Sequence, residues 1–295
     1  VDGDFIVESG YITISGGSQT NTVWNLYLRG DFLVQSGGIF DSRTSGAGSS
    51  ANVHFVNTNT TQLLSLAGAI GHTGTGGGCP INWIVPAGVS VLLTNGNLAL
   101  GTANNNTRDA VLVEGTLSLG TNQITGPGVL TLNAGATLVG NSTNQLTAGL
   151  HTVQYGGTLQ LPGLPTLNAG DSFKLFDATN TYAGSFAALV PATPGAGLIW
   201  NTSNLAVNGV LAVAASVTTQ PRFTSISVGG GNVNLAGIDG TPNGTFYLLR
   251  SSTITTPRSS WTIVSTNTFD SSGNFTISTP LLPGDPVQFY AIQVP

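Results

Sequence analysis

Three histidines are the first side chains to consider for chemistry, since imidazole is a common metal ligand and general base. His54, His72 and His151 stand about 20 and 80 residues apart. None has a cysteine or acidic residue at the spacing that a zinc site built from one short segment requires. We therefore predict no metal site and no cofactor, and we expect each histidine to lie at the surface or to be hydrogen-bonded within the fold.

Paired carboxylates are the second kind of candidate, because enzymes that hydrolyse polysaccharides use two carboxylates roughly 5 to 9.5 Å apart. The early pairs that are close in sequence, with their flanking arginines, are Asp31 with Asp41 (Arg29, Arg43) and Asp109 with Glu114 (Arg108). An ion pair on a nearly uncharged surface is the simpler interpretation of each. We expect no catalytic residue, and keep a β-helical polysaccharide lyase or hydrolase as an alternative.

A glycine-rich stretch and a lone cysteine complete the candidates. Residues 74–78 lack the Lys-Ser or Lys-Thr that follows in a phosphate-binding loop, and no helical pattern comes after them, so we predict a flexible loop. Cys79 has no second cysteine with which to form a disulfide within the chain. We expect a small buried thiol, with an intermolecular bridge as the alternative.

Composition narrows the class of protein that could carry these side chains. Charged residues make up 6% of the 295 residues, against roughly 25% in a typical soluble domain. Seven basic residues and a net charge of −5 leave no patch for a run of phosphates, so nucleic acid is excluded as a partner. No uninterrupted apolar stretch reaches the roughly 18 residues of a membrane-spanning helix.

The chain contains no methionine and begins at Val1. This is the pattern of a mature chain from which a signal peptide has been removed. We therefore expect a protein exported to the cell surface or the extracellular space.

Short alternating runs separated by glycine turns fill the first 165 residues, for example at 5–14 and 111–120. Period-two patterning predicts strands. An apolar strand, a glycine turn and a second strand recur, with turn glycines at 96, 115, 135 and 157, spaced by 19, 20 and 22 residues. This spacing fits one coil of a parallel β-solenoid, in which stacked asparagine and threonine side chains bond along the axis. An ordinary sandwich or barrel of hairpins is the alternative.

The rest of the chain changes in pattern twice. Residues 166–213 carry larger apolar side chains and are expected to close the end of the stack, and residues 214–222 to form a linker. Six strand candidates follow, at 223–228, 232–236, 245–250, 260–264, 274–278 and 287–294. Their spacing predicts an immunoglobulin-like or fibronectin-like β-sandwich over 223–295, with a core drawn from Phe246, Trp261, Phe275 and Phe289.

Several of these segments resemble a known family. Residues 169–177 (AGDSFKLFD) and 191–205 (PATPGAGLIWNTSNL) resemble the closing segment of bacterial autotransporter-associated β-strand-repeat proteins. Residues 244–249 (GTFYLL), Trp261, 269–275 (FDSSGNF) and 288–290 (QFY) resemble their C-terminal sandwich module. The resemblance covers roughly residues 110–295 and implies a large exported surface protein with a parallel β-solenoid. Nothing after residue 220 has the strand number of an outer-membrane barrel.

The first strands are the expected assembly interface. A solenoid leaves unpaired backbone edges at its ends, and such edges pair with another chain unless charge or proline blocks them. The residues assigned to this interface are Phe5, Ile6, Val7, Tyr11 and Ile12. Alternation places Phe5 and Val7 on one face and Ile6 and Glu8 on the other. Residues 1–14 either form a strand donated to a neighbouring subunit or the first coil of their own solenoid.

We therefore predict a non-catalytic extracellular structural protein whose partners are copies of itself, joined end to end into a surface filament or matrix. The first alternative is a monomeric adhesin or glycan-binding module, whose partners would be surface glycans. Trp24, Trp83, Trp200 and Trp261 are too dispersed in sequence to form an aromatic platform, and we expect each of them in a core.

Overall fold

The computed structural model describes residues 1–15, 20–43, 48–72, 77–103, 106–216 and 220–295. Most of the predicted glycine loop at 74–78 and part of the predicted linker lie outside the described residues. The chain forms two compact units, Val1–Ser216 and Val217–Pro295, so their division falls within the segment 214–222. No described helix has the length and apolar character needed to cross a membrane.

Thirty strands make up most of the described structure, because β-branched and polar turn residues dominate its sequence. In chain order the first fifteen are β1 Phe5–Val7, β2 Gly10–Ser15, β3 Val23–Leu28, β4 Phe32–Val34, β5 Gly38–Ser42, β6 Ser50–Phe55, β7 Gln62–Leu66, β8 Ala69–Gly71, β9 Ile81–Val85, β10 Ser90–Thr94, β11 Leu98–Ala99, β12 Ala110–Val113, β13 Thr116–Ser118, β14 Ile124–Thr125 and β15 Val129–Leu132.

The remaining strands extend to the C-terminal unit. They are β16 Thr137–Val139, β17 Thr147–Ala148, β18 Leu150–Tyr155, β19 Thr158–Gln160, β20 Ser172–Lys174, β21 Ala178–Gly184, β22 Ala188–Val190, β23 Leu198–Asn201, β24 Val210–Ala215, β25 Arg222–Gly229, β26 Asn232–Ile238, β27 Thr245–Ser251, β28 Thr262–Thr268, β29 Phe275–Pro280 and β30 Phe289–Gln293. A short helix, α1 at Leu205–Asn208, and a 3-10 turn at Arg258–Ser260 lie between strands of this part of the chain.

The first unit is a parallel β-solenoid of about six turns, as predicted. Every third strand stacks in one eight-stranded sheet, in the order β1-β4-β7-β10-β13-β16-β19-β22. A seven-stranded sheet runs from β3 to β21 on a second face. The third face is divided between two short sheets, β2-β5-β8 and β11-β14-β17. Because these neighbours all pair in parallel, the alternative of meandering hairpins is wrong for this unit.

Alternating strands place one row of side chains inside the stack and one outside. Val7, Val34 and Leu66 are register partners that form a buried inner column. On the outer face, Asn52 donates to the Asn25 side chain at 3.1 Å and Asn82 donates to Asn52 at 2.9 Å. This ladder confirms the expectation that uncharged amides bond along the solenoid axis.

The uniform period of about 20 residues holds for only part of the stack. Thr116, Thr137 and Thr158 are register partners, and the glycines before them, at 115, 135 and 157, mark one corner of successive coils. Gly96 instead precedes β11, on another face. The earlier coils are longer, since Phe5 pairs with Phe32 and Phe32 with Leu64. Loops of variable length at the corners leave the ladder intact, so the period can drift without breaking the stack.

The stack continues beyond residue 165, because β21 and β22 still pair in parallel with β18 and β19. A small antiparallel sheet, in the order β20-β24-β23, follows within the segment expected to close the solenoid. Leu175, Phe176, Leu205 and Leu211 from this region join the solenoid core. The Tyr155 hydroxyl donates to the Leu205 carbonyl at 3.0 Å and ties α1 to the last coils.

The described part of the second unit contains six strands, each overlapping one of the six predicted segments, although β28 lies later in the sequence than the predicted 260–264. They form two three-stranded antiparallel sheets, β25-β26-β29 and β28-β27-β30, with a shared apolar core. Phe246 and Phe275 lie in that core as expected, and Phe269 stacks on Phe246 with ring centroids 4.3 Å apart. Trp261 and Phe289 are half-buried and lie outside the cluster, so their assignment to the core is wrong.

Candidate functional site

The first coil is the exposed edge of three sheets. β1, β2 and β3 each stand at the end of their strand order, and each pairs with one described strand only: β4, β5 and β6 respectively. The backbone groups on their other side therefore have no strand partner in the described part of the chain. We call the outer side of these three strands the open coil.

Three side chains that point into the solenoid at this coil are only partly covered, whereas Val7 and Leu28 of the same coil are buried. Phe5, Trp24 and Leu26 pack against the core but remain partly exposed. Their register partners in the next coil, Phe32, Ala51 and Val53, are completely buried. The same inward position thus changes from half-covered to buried in one step along the axis, because a second coil covers it.

Apolar side chains are also exposed on the outer faces of this coil. They are Ile6, Tyr11, Val23 and Tyr27, whereas Ile12, which is also exposed, has the buried Phe40 as its register partner and so points to the inner face. Ile6, Tyr11 and Ile12 were assigned to the interface from sequence, whereas Val23 and Tyr27 on β3 were missed. The alternating pattern of residues 23–28 would have identified them, since β3 lies beside β1 in the same coil.

Three of the five predicted interface residues, Phe5, Val7 and Ile12, face inward. Val7 is 1% exposed, in the inner column with Val34, and Phe5 stacks on Phe32 with ring centroids 5.2 Å apart. The strand alternation turns the Val7 side chain into the core, so at this edge Val7 presents its backbone and not its side chain. The structure places residues 5–7 in the first coil of their own solenoid, the second of the two arrangements considered for residues 1–14.

Acidic side chains near this edge do little to block its pairing with another strand. The Asp4 carboxylate accepts a hydrogen bond of 2.9 Å from the Asp31 backbone amide, and this bond directs the carboxylate toward its own chain. Asp2 lies 3.4 Å from Arg29, and both side chains are highly exposed. Such an exposed pair contributes little to stability, but it removes a net charge from the edge.

A buried polar cluster is the second place where chemistry could reside. His72 lies between Ser42 and Asp109, with Nδ1 3.2 Å from the Ser42 hydroxyl and Nε2 3.0 Å from an Asp109 carboxylate oxygen. Ser42 ends β5, His72 follows β8 and Asp109 precedes β12. The three side chains come from successive coils, at the point where the third face changes from one short sheet to the next.

The hydrogen bonds around His72 assign a proton to each of its ring nitrogens. The Ser42 hydroxyl donates to the Cys79 carbonyl and accepts from the Cys79 amide at 2.9 Å, so toward His72 it can only accept. The Asp109 carboxylate is likewise an acceptor. It also receives the backbone amides of Ile81 and Gly101, each at 2.7 Å. The cluster therefore holds His72 as a charged imidazolium.

Electrostatics agree with this assignment. Burial disfavours the charged ring, but the hydrogen bond to Asp109 and the charges of Asp109 and Asp41 outweigh it and hold the pKa of His72 above its ordinary value. Asp41 itself is buried and lies 2.9 Å from the Arg43 guanidinium. His54, beside Asn25 on the outer face, has its pKa lowered by burial.

Ser42, His72 and Asp109 have the residue types of a serine-hydrolase triad but not its arrangement. A nucleophilic serine is exposed to substrate and gives its proton to an accepting imidazole nitrogen. Ser42 is completely buried, its hydroxyl proton is directed to Cys79, and His72 donates to it. The cluster is thus a structural junction between coils. No local sequence pattern indicates this cluster, because the spacing of its members depends on loops of unequal length.

The arginines that flank the predicted carboxylate pairs differ in their partners. Arg43 pairs with Asp41, as expected. Arg108 does not pair with Asp109. It donates to the Asn106 carbonyl at 3.1 Å, and His72 pairs with Asp109 instead.

Cys79 is buried, as expected of an inert thiol. Within the described ranges, no three His, Cys, Asp or Glu side chains come together as a group that could hold a metal ion.

Two glycines make room for this cluster. A Cβ at Gly101 would lie 2.5 Å from the His72 ring, and one at Gly78 would lie 2.3 Å from the Ser42 carbonyl oxygen. We expect Gly101→Ala to lower the free energy of unfolding by about 1 to 3 kcal/mol, since it displaces a paired buried charge. Chemical denaturation measures this loss. Gly135→Ala, whose Cβ would meet only ordinary contacts, is the control, and equal losses in both variants would contradict the role of His72.

The raised pKa of His72 also predicts a pH dependence. A folded-state pKa above the unfolded value stabilises the fold fully below the unfolded value, near 6.5, and this contribution disappears as the pH rises through the folded value. The free energy of unfolding should therefore fall as the pH increases above 6.5. His72→Gln should flatten this dependence, whereas His151→Gln should keep it. A wild-type profile identical to that of His72→Gln would disprove the assignment.

Comparison with protein-family models, with curated proteins and with solved structures finds no match in any of the three.

Proposed function

We propose that this chain is an extracellular structural protein that joins to copies of itself through the open coil. One observation carries the proposal: inward-facing Phe5, Trp24 and Leu26 are half-covered where their partners one coil later are fully buried. A core that is open at a coil edge gains stability when another coil covers it, because apolar area is removed from water.

A second copy supplies such a coil. Main-chain hydrogen bonds to a strand edge provide affinity without charged groups, and alternate side chains fill the gaps between them. At the other end of the solenoid, residues of the same chain, including Leu205 and Leu211, pack into the core. The open coil therefore meets the open coil of a second copy, in a contact with the same residues on both sides.

The proposal is of a non-catalytic protein. All four carboxylates considered for polysaccharide cleavage accept hydrogen bonds within the chain: Asp109 as described, Asp41 from Arg43, Asp31 from the Leu63 amide at 2.8 Å, and Glu114 from Asn133 at 3.1 Å. Asp41 and Asp109 are moreover inaccessible to a substrate. These carboxylates serve the fold.

The location and the second unit belong to the same proposal. The resemblance to autotransporter-associated repeat proteins suggests a place at the cell surface or outside the cell, and the low charge content suits amide and hydroxyl ladders exposed there. We take the two antiparallel sheets of the second unit to be an immunoglobulin-like or fibronectin-like sandwich that ends the subunit.

Val23→Lys tests the contact. It places a charge on the edge strand β3, where Val23 is 53% exposed, and should raise the dissociation constant of self-association at least about tenfold. Sedimentation equilibrium over a concentration series measures this change. Val207→Lys on α1, where the valine is 68% exposed, is the matched control and should associate like the wild type. Strictly monomeric wild-type particles at high concentration, seen also by electron microscopy, would refute the proposal.

A glycan-binding adhesin is the second candidate, favoured by a cleft of about 530 Å³ on the second unit. Phe223 and Tyr290 supply aromatic surface to it, and Arg258 and Gln293 supply polar groups. Glycan sites combine such groups in one concave surface. A glycan array with the full chain should then give saturable, sugar-specific binding that Arg258→Ala weakens. Binding to none of the sugars, or binding indifferent to Arg258→Ala, would remove this candidate.

A further inference from the structure

β25 is the longest described strand, with eight residues, and it stands at the edge of its sheet. It pairs with β26 on one side, and no described strand pairs with the other. The backbone N–H and C=O groups on that free side are available to another strand. A long edge of this kind is a template for pairing unless something blocks it.

The side chains of β25 show that the core stops short of this strand. In an antiparallel pair, directly opposed residues point to the same face. Ile226 is opposite Leu235 and Val228 is opposite Val233, and both partners belong to the buried core. Ile226 and Val228 nevertheless are 63% and 66% exposed. Two apolar side chains thus point to the core side of the sheet without being covered.

Strand β25 lacks the features that would block pairing along its free edge. Natural edge strands carry charges, prolines or bulges that prevent pairing with a second chain. Residues 223–229 contain neither a charge nor a proline, and the only bulge lies between Phe223 and Ser225, at the start of the strand. Arg222 is the single charged residue, and its guanidinium lies 2.7 Å from the Asp239 carboxylate. The strand is therefore electrically neutral along its length.

We propose that β25 pairs antiparallel with β25 of a second copy of this chain, joining two three-stranded sheets into one sheet of six strands. The strand is self-complementary about a twofold axis near Ile226. Serines and apolar residues alternate, so Ile226 and Val228 of both copies meet on the core side and cover one another. The two Arg222 side chains fall at opposite ends of the shared ladder, so no like charges face each other.

This contact goes beyond the open coil and does not depend on it. A contact with the same residues on both sides closes on itself, so the open coil alone gives a dimer. A chain with two such contacts, one in each unit, binds a further copy through each of them, as the subunit of a filament must. A filament thus requires both contacts, whereas the dimer formed through β25 requires only the β25 contact.

Charge substitutions in the full chain separate the two contacts. In the Val23→Lys background, which disables the open coil, the chain should be a dimer in sedimentation equilibrium. Adding Ile226→Lys should raise its dissociation constant at least about tenfold. Adding Ile254→Lys should leave it unchanged, since Ile254 is 65% exposed but lies in a turn outside the strands. Circular dichroism checks that each variant is folded.

A cross-link tests the same pairing without a charge. Ile226→Cys, near the twofold axis, should give a disulfide-linked dimer under mild oxidation, whereas Ile254→Cys should not, and the buried Cys79 should not react in either. A Val23→Lys chain that is monomeric at all concentrations would overturn the proposal, whether or not the open coil associates in the wild type. So would equal cross-linking of the two cysteine variants, or equal effects of Ile226→Lys and Ile254→Lys.

Discussion

Backbone pairing between successive coils is the constraint on which the rest of this structure depends. A short strand cannot satisfy its own N–H and C=O groups, so each strand inside a solenoid sheet takes one partner from the coil before and one from the coil after. This pairing fixes which residues stand above one another. The inner column of Val7, Val34 and Leu66 and the outer ladder of Asn25, Asn52 and Asn82 are both consequences of one register.

The constraint is most visible where the ladder is interrupted. On the third face the stack changes from β2-β5-β8 to β11-β14-β17, and no strand in the described part of the chain spans the change. Side chains take over there: Asp109 accepts the amides of Ile81 and Gly101, and Ser42 accepts the amide of Cys79. Charged His72 then links the two acceptors. A buried ion pair is costly in itself, but here it satisfies backbone groups that would otherwise be unpaired.

The same need for pairing connects the fold to the proposed self-association. With 6% charged residues, the chain has few side chains that could block a strand edge. The open coil and β25 are both edges with exposed apolar residues, and each carries backbone groups without a strand partner in the described structure. Low charge therefore has two effects: it permits amide ladders along the solenoid, and it leaves its edges receptive to other strands.

The sequence by itself determined the local features: alternating strands, glycine corners, the stacked coils and the six C-terminal strands, because these depend on periods of two and on turn residues that are visible along the chain. It also placed Ile6, Tyr11 and Ile12 at an exposed edge. Only the tertiary structure decided the register between coils of unequal length. It therefore decided that Val7 is inside, that Gly96 belongs to a different corner, and that His72 meets Asp109 in place of Arg108. Contacts between distant residues depend on the number of residues in each loop between the strands, and no local sequence pattern reveals that number.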